Sequence, residues 1–139
     1  MDDSCIFCKI IKGEIPCYKL YEDENTLSFL DVNPITEGHT LVIPKTHATL
    51  VEDLNNDNIS SVFETTQKIS KKLRETLDKP STTIAIHNGK EAGQEIPHVH
   101  VHIIPRDTLD GGGPIHNIMS EPYKTDNDKL QKLADQISI

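Results

Sequence analysis

The run His98-Val99-His100-Val101-His102-Ile103-Ile104 alternates strictly between imidazole and aliphatic side chains over its first six residues. Successive side chains of a β-strand point to opposite faces, so a period of two reads as a strand. Val99, Val101 and Ile103 are expected to face a core, and His98, His100 and His102 to line the other face. One histidine on a strand is ordinarily a plain surface or core residue. Here three of the chain's seven share a face, and that concentration points to chemistry. Same-face neighbours sit about 6.5–7 Å apart along a strand, so the outer two rings are about 13 Å apart. A zinc ion holds nitrogens at about 2.0–2.1 Å, so it could join adjacent members but not all three. At least one ring is left for other work. A neutral imidazole is a good nucleophile toward phosphorus and a good proton carrier. A row of them suits phosphoryl or nucleotidyl transfer, the central ring attacking while its neighbours hold it and bind phosphate oxygens.

Acids outnumber bases 22 to 14, giving a net charge of −8. Such a field repels nucleic acid and anionic membranes. There is no tryptophan, and aromatics make up 4% of the chain, too few for base-stacking platforms. A phosphate must then be held by local N–H groups and histidines against the global field. No apolar run approaches the ~20 residues that span a bilayer. The opening Met-Asp-Asp-Ser lacks the basic and apolar regions of a signal peptide, so the cytoplasm is the expected location. Three cysteines, Cys5, Cys8 and Cys17, point to thiols or metal rather than a disulfide framework. At 139 residues the chain is expected to be one domain, with its core at about 5–106 and a tail at 107–139.

Along the chain, Cys5–Lys12 reads as a short helix ended by Gly13 and Pro16. Strands are expected at Tyr18–Glu22, Thr26–Asp31 and His39–Pro44, with turns at Asn33-Pro34 and Glu37-Gly38. A long helix is expected over Asn58–Asp78, packing Ile59, Val62, Phe63, Thr66, Ile69, Leu73 and Leu77 on a sheet. Thr82–His87 and His98–Ile104 complete five strands, the last stopped by Pro105. After the break Gly111–Pro114, a tail helix at about Asp126–Ile137 could dock Leu130, Leu133 and Ile137. Short connections imply hairpins, and the fold class is α+β with a mainly antiparallel sheet, one long helix and shorter terminal helices.

Two further motifs stand near the histidines. The loop Asn88-Gly89-Lys90-Glu91-Ala92-Gly93-Gln94 has glycines that let backbone N–H groups approach an anion, although no Gly-Lys-Ser/Thr follows. A plain hairpin connection is an equal reading of the loop alone. Cys5-Ile6-Phe7-Cys8 has the spacing of a zinc half-site, for which His47 and His98 are candidate completing ligands. A partly buried helical thiol pair is the other reading.

Together, Asn88-Gly89, Ala92-Gly93-Gln94 and His98–Arg106 resemble the histidine triad (HIT) family, in its nucleoside phosphoramidase-like branch. Phe7–Ile11, Phe29–Pro34 and Gly38–Lys45 agree, and the likeness covers about residues 5–106. It implies a homodimer whose two sheets run together, and hydrolysis or transfer at the α-phosphorus of a purine nucleotide, typically a nucleoside 5′-phosphoramidate. His100 matches the nucleophile that becomes a nucleotidyl-histidine, and His98 and His102 match its flanking partners. Asp31 matches the residue that meets the ribose hydroxyls. Phe7, Ile10 and Val32 match a base pocket, and His87, Asn88, Gly93, Gln94 and Glu95 match the phosphate-facing positions. His39 matches a histidine behind the triad. Small bacterial and archaeal relatives carry zinc on a Cys-x-x-Cys pair and two histidines, which maps here to a structural zinc on Cys5, Cys8, His47 and His98. No organic cofactor is implied. Two positions depart from the pattern. His87 stands where similar enzymes hold Asn or Gln, and it either replaces that donor or titrates. Glu95 stands where the animal branch has a serine that helps protonate the leaving amine. The alternatives are a dinucleoside polyphosphate hydrolase of the same superfamily and a non-catalytic nucleotide- or zinc-binding adaptor.

Overall fold

The computed structural model describes residues 2–139. The chain divides into two compact units, one ending at Thr108 and the other spanning Leu109–Ile139. The first contains helix α1 (Ile6–Ile11), strands β1 (Lys19–Glu22), β2 (Thr26–Leu30) and β3 (Thr40–Pro44), the long helix α2 (Asn56–Leu77), and strands β4 (Ser81–Ala85) and β5 (Val101–Arg106). The strands form one sheet in the order β1-β2-β3-β5-β4, and every neighbouring pair is antiparallel. The α+β class with a five-stranded antiparallel sheet is therefore observed.

Each face of this sheet carries its own core. On one, Val62, Ile69 and Leu73 of α2 pack on Val42, Val101 and Ile103. On the other, Cys5, Phe7 and Cys8 pack on Leu27, Phe29, Leu41 and Ile43. β2 and β3 are accordingly buried almost throughout, as two-sided strands must be. α2 begins at Asn56, two residues before the periodicity suggests, because the Asn55 side chain caps it by accepting from the Asn58 N–H at 2.8 Å. It ends at Asp78 in the left-handed conformation, φ 51°. Phe63, expected to pack on the sheet, is instead exposed. It lies about 100° around the helix from Val62, outside the stripe that Val62, Thr65, Thr66, Ile69 and Leu73 bury. Thr65 takes a place in that stripe by sharing a 2.7 Å hydrogen bond with Thr26.

The last strand differs most from expectation. β5 starts at Val101 and runs through Pro105, rather than spanning His98–Ile104. Proline is tolerated because β3 pairs only with Val101–Ile103, so at Pro105 the strand has a single hydrogen-bonded neighbour, β4. Gly38 lies against it, at φ +86°, where a Cβ would collide with Leu77 and crowd the proline ring. His98 and His100 precede the strand in a non-sheet segment that is tied down by Val99 N–H donating to the Ala48 carbonyl at 2.8 Å. β4 likewise ends at Ala85, so Ile86 and His87 lie beyond the sheet.

The second unit holds a short 3₁₀ turn, Ile115–Asn117, and helix α3 (Asn127–Ile137), capped by Asp126 accepting from the Lys129 N–H at 2.9 Å. Leu130, Leu133 and Ile137 of α3 are exposed.

Candidate active site

The alternation read from the sequence survives even where the strand does not. Val99, Val101 and Ile103 are buried among core residues, while the rings of His98, His100 and His102 fall on the α1 side. They are not a surface row, since His98 is 0% and His100 6% exposed. Phe7 stands edge-on to both, its ring centroid 5.8 Å from His98 and 5.2 Å from His100. His100 and His102 are adjacent, with centroids 4.9 Å apart.

Hydrogen bonds dictate the tautomers. His100 Nδ1 lies 2.8 Å from the His98 carbonyl oxygen, so Nδ1 carries the proton and Nε2 keeps its lone pair. His39 Nδ1 accepts from the Ile35 N–H at 3.2 Å, so its Nε2 carries the proton and donates to His102 Nδ1 at 2.9 Å. His102 must then carry its own proton on Nε2. That atom is buried without a hydrogen-bond partner. A buried donor left open in this way, beside the His100 lone pair, asks for an acceptor.

Burial keeps these rings neutral. It holds His98 and His102 down at about 4, and it lowers His100 and His39 as well. A neutral His100 is the nucleophilic form, and neutral N–H donors bind an anion without importing charge.

His98 serves a second cluster with its ring. Its Nε2 donates to the Pro44 carbonyl at 2.8 Å, leaving Nδ1 as the coordinating atom. That Nδ1 is 3.5 Å from Cys5 Sγ, 3.7 Å from Cys8 Sγ and 3.1 Å from His47 Nδ1, and Cys8 Sγ is 3.3 Å from His47 Nδ1. A tetrahedral zinc with ordinary Zn–N and Zn–S bonds spaces its donors by about 3.3–3.8 Å. The cluster fits such an ion in donor type and number, and its spacings of 3.1–3.7 Å come within a few tenths of an ångström of that geometry. Asp31, His39 and His102 also converge within 4.8 Å. They suit a metal poorly, because the Ile35 N–H forces the His39 proton onto the nitrogen that would have to coordinate.

The remaining positions matched by the resemblance divide into two groups. Asp31 follows β2, with Oδ1 accepting from the Asn33 N–H at 2.9 Å and Oδ2 3.5 Å from His39 Nε2. Ile10 is half-buried against the Phe7 cluster, and Val32 is 71% exposed. Gly93, at φ +102°, lies against the His87 ring, and Glu95 is exposed. Asn88 and Gln94 are committed elsewhere. The Asn88 amide accepts from the Val51 N–H at 2.9 Å and donates to Glu52 at 2.8 Å. The Gln94 amide accepts from the Gly89 N–H at 2.8 Å and donates to the carbonyls of Thr49 and Ile96 at 2.8 and 3.1 Å. Both side chains build the loop that presents Gly93.

A family profile described as the HIT domain matches residues 12–109. The chain belongs to the HIT family. It is 41% identical over 141 residues to an adenosine 5′-monophosphoramidase of Candida albicans, covering 96% of this chain and 89% of that one. A Streptococcus mutans structure superimposes with a TM-score of 0.89 at 36% identity, covering 99% of this chain and 85% of the other. A zinc-bound histidine triad protein of Mycobacterium smegmatis superimposes with a TM-score of 0.71 at 37% identity, covering 94% and 89%. The HIT motif is thus legible in the sequence, but the groups that lock its tautomers are not. The Pro44 carbonyl and the Ile35 N–H are backbone atoms, and no residue type announces them.

One consequence concerns pH. His102 titrates at about 4 when folded, against 6.5 for a free imidazole. The stability that goes with this is whole above pH 6.5 and is lost as pH falls toward 4, because the unfolded chain takes up the proton first. His39 and His100 add in the same direction. The urea midpoint is expected to drop steadily between pH 7 and pH 5, and His102→Gln should flatten the drop.

Proposed function

We propose that the protein hydrolyses purine nucleoside 5′-phosphoramidates at the α-phosphorus, through a nucleotidyl-His100 intermediate. The observation that carries this is the pairing of a free Nε2 lone pair on His100 with the unpartnered Nε2–H of His102. His100 attacks phosphorus, and the imidazolium character it gains is stabilised through Nδ1–H on the His98 carbonyl. His102 donates to a phosphate oxygen as charge builds there, in a water-poor setting where such a bond is strong. Phe7, Ile10 and Val32 receive the base, Asp31 the ribose hydroxyls, and the backbone at Gly93 the phosphate. The name of the Candida albicans relative supports this substrate class over a dinucleoside polyphosphate or a binding role without turnover.

Cys5, Cys8, His47 and His98 would hold a structural zinc, a reading supported by their spacing and by the zinc-bound Mycobacterium smegmatis relative. With four protein donors it has no open position for substrate. Its effect would be to tie α1 to the segment whose carbonyl orients the nucleophile. The homodimer is supported by β4, which has a neighbour on one side only, by its own exposed Ile84 and by the exposed Phe63 near it. Among the described residues no helix is long and apolar enough to cross a membrane, in keeping with work in the cytoplasm on a diffusible nucleotide.

Release of AMP from adenosine 5′-phosphoramidate tests the proposal. Wild type should turn over, and His100→Ala should lose at least about 1,000-fold in kcat while still binding AMP. Equal turnover by both would contradict it. Metal analysis should find one zinc per chain, falling below about a tenth in Cys8→Ser, with a lower melting temperature.

A further inference from the structure

We propose that His87 is a catalytic residue, the proton donor to the leaving group and then the acceptor of the proton from the attacking water. This rests on the nucleotidyl-transfer reading above and goes beyond it, because the reaction needs a proton that the triad does not supply.

His100 spends its Nδ1 proton on the His98 carbonyl. His102 carries one proton, on Nε2, and is neutral at pH 7. Giving that proton to a departing amine would leave an imidazolate, so its Nε2–H is suited to hydrogen bonding and not to acid catalysis. His98 and His39 are committed to the Pro44 carbonyl and to His102. A further group has to bring a proton in from solvent.

His87 stands where that group is needed. β4 and β5 pair residue for residue from Ser81↔Arg106 to Ala85↔His102. His87 follows β4 by two residues, just past the Ala85↔His102 pair that closes the ladder. Its ring lies 5.3 Å from that of His102, tilted by 45°. Charge on His87 acts on both His100 and His102. From the loop side, a Cβ on Gly93 would sit 3.3 Å from His87 Nδ1, so the phosphate-loop backbone rests directly on the ring. Those are the faces that meet it: His102 from β5, His100 from the segment before β5, and glycine backbone from the loop. Neither His87 nitrogen has a hydrogen-bond partner among the described residues, and the side chain is exposed. It can therefore exchange protons with water while sitting over the site.

The steps balance. His100 Nε2 forms a bond to phosphorus as the P–N bond of the phosphoramidate breaks, and the departing nitrogen takes a proton from His87. Water then attacks phosphorus, its proton passes to His87, and the bond to His100 breaks with release of the nucleotide. His87 is left protonated for the next cycle.

Single-turnover cleavage of two adenosine 5′-phosphate derivatives separates this role from a structural one. An N-alkyl phosphoramidate must have its leaving amine protonated, whereas a p-nitrophenyl ester expels a phenolate that needs no proton. His87→Asn should slow cleavage of the amidate by about 100-fold or more, and that of the ester by less than about threefold. Retained ester cleavage also reports that the site is folded. Equal losses on both substrates, or no loss on either, would overturn the assignment of His87 while leaving the wider reading in place. A wild-type protein inert toward both would overturn that reading, and the role of His87 with it.

Discussion

His98 binds in two directions at once. Its ring is held between the Pro44 carbonyl and the Cys5–Cys8–His47 cluster, and its backbone carbonyl accepts the Nδ1 proton of His100. Everything at the site depends on that second bond. It decides which nitrogen of His100 is free, and so whether the ring can attack at all. The first set of contacts holds the carbonyl still. A segment outside the sheet, lacking ladder bonds to fix it, acquires its rigidity from a side-chain cluster and from Val99 bonded to Ala48.

Neither the net charge of the chain nor the rings of the site supply positive charge for an anion. At −8, the protein as a whole opposes a phosphate. Burial lowers the affinity of His98, His100 and His102 for protons, which removes the simplest local counter-charge. What remains is a set of aimed dipoles, namely the His102 Nε2–H and the backbone around Gly93. On the proposed reaction these cost no protonation and stay in place as charge grows at phosphorus.

How much of this was legible follows from where the information sits. The alternation at 98–104 placed each side chain on the correct face, because a two-residue period depends on extended backbone and not on ladder bonds. It misplaced the strand itself, because pairing decides its ends: β3 reaches back only to Val101 and β4 only to His102, while β4 pairs with β5 as far as Arg106. The HIT motif carried the family, and Cys-x-x-Cys carried the candidate metal pair. Phe63 read as core because periodicity marks a face without marking its edge. For Asn88 and Gln94 the motif names positions and leaves their contacts within the protein unstated. In the fold their amides are used to shape the loop. The tautomer locks at Pro44 and Ile35 left no trace, since any residue supplies a carbonyl and any but proline an N–H.

Proton positions on the histidine rings decide whether His100 can attack. Long-range proton–nitrogen NMR correlations of ¹⁵N-histidine-labelled protein at pH 7 read them directly, ring by ring. The expected result is a neutral His100 protonated on Nδ1, with His39 and His102 protonated on Nε2. A His100 found protonated on Nε2, or as imidazolium, would have no lone pair to offer phosphorus and would contradict it.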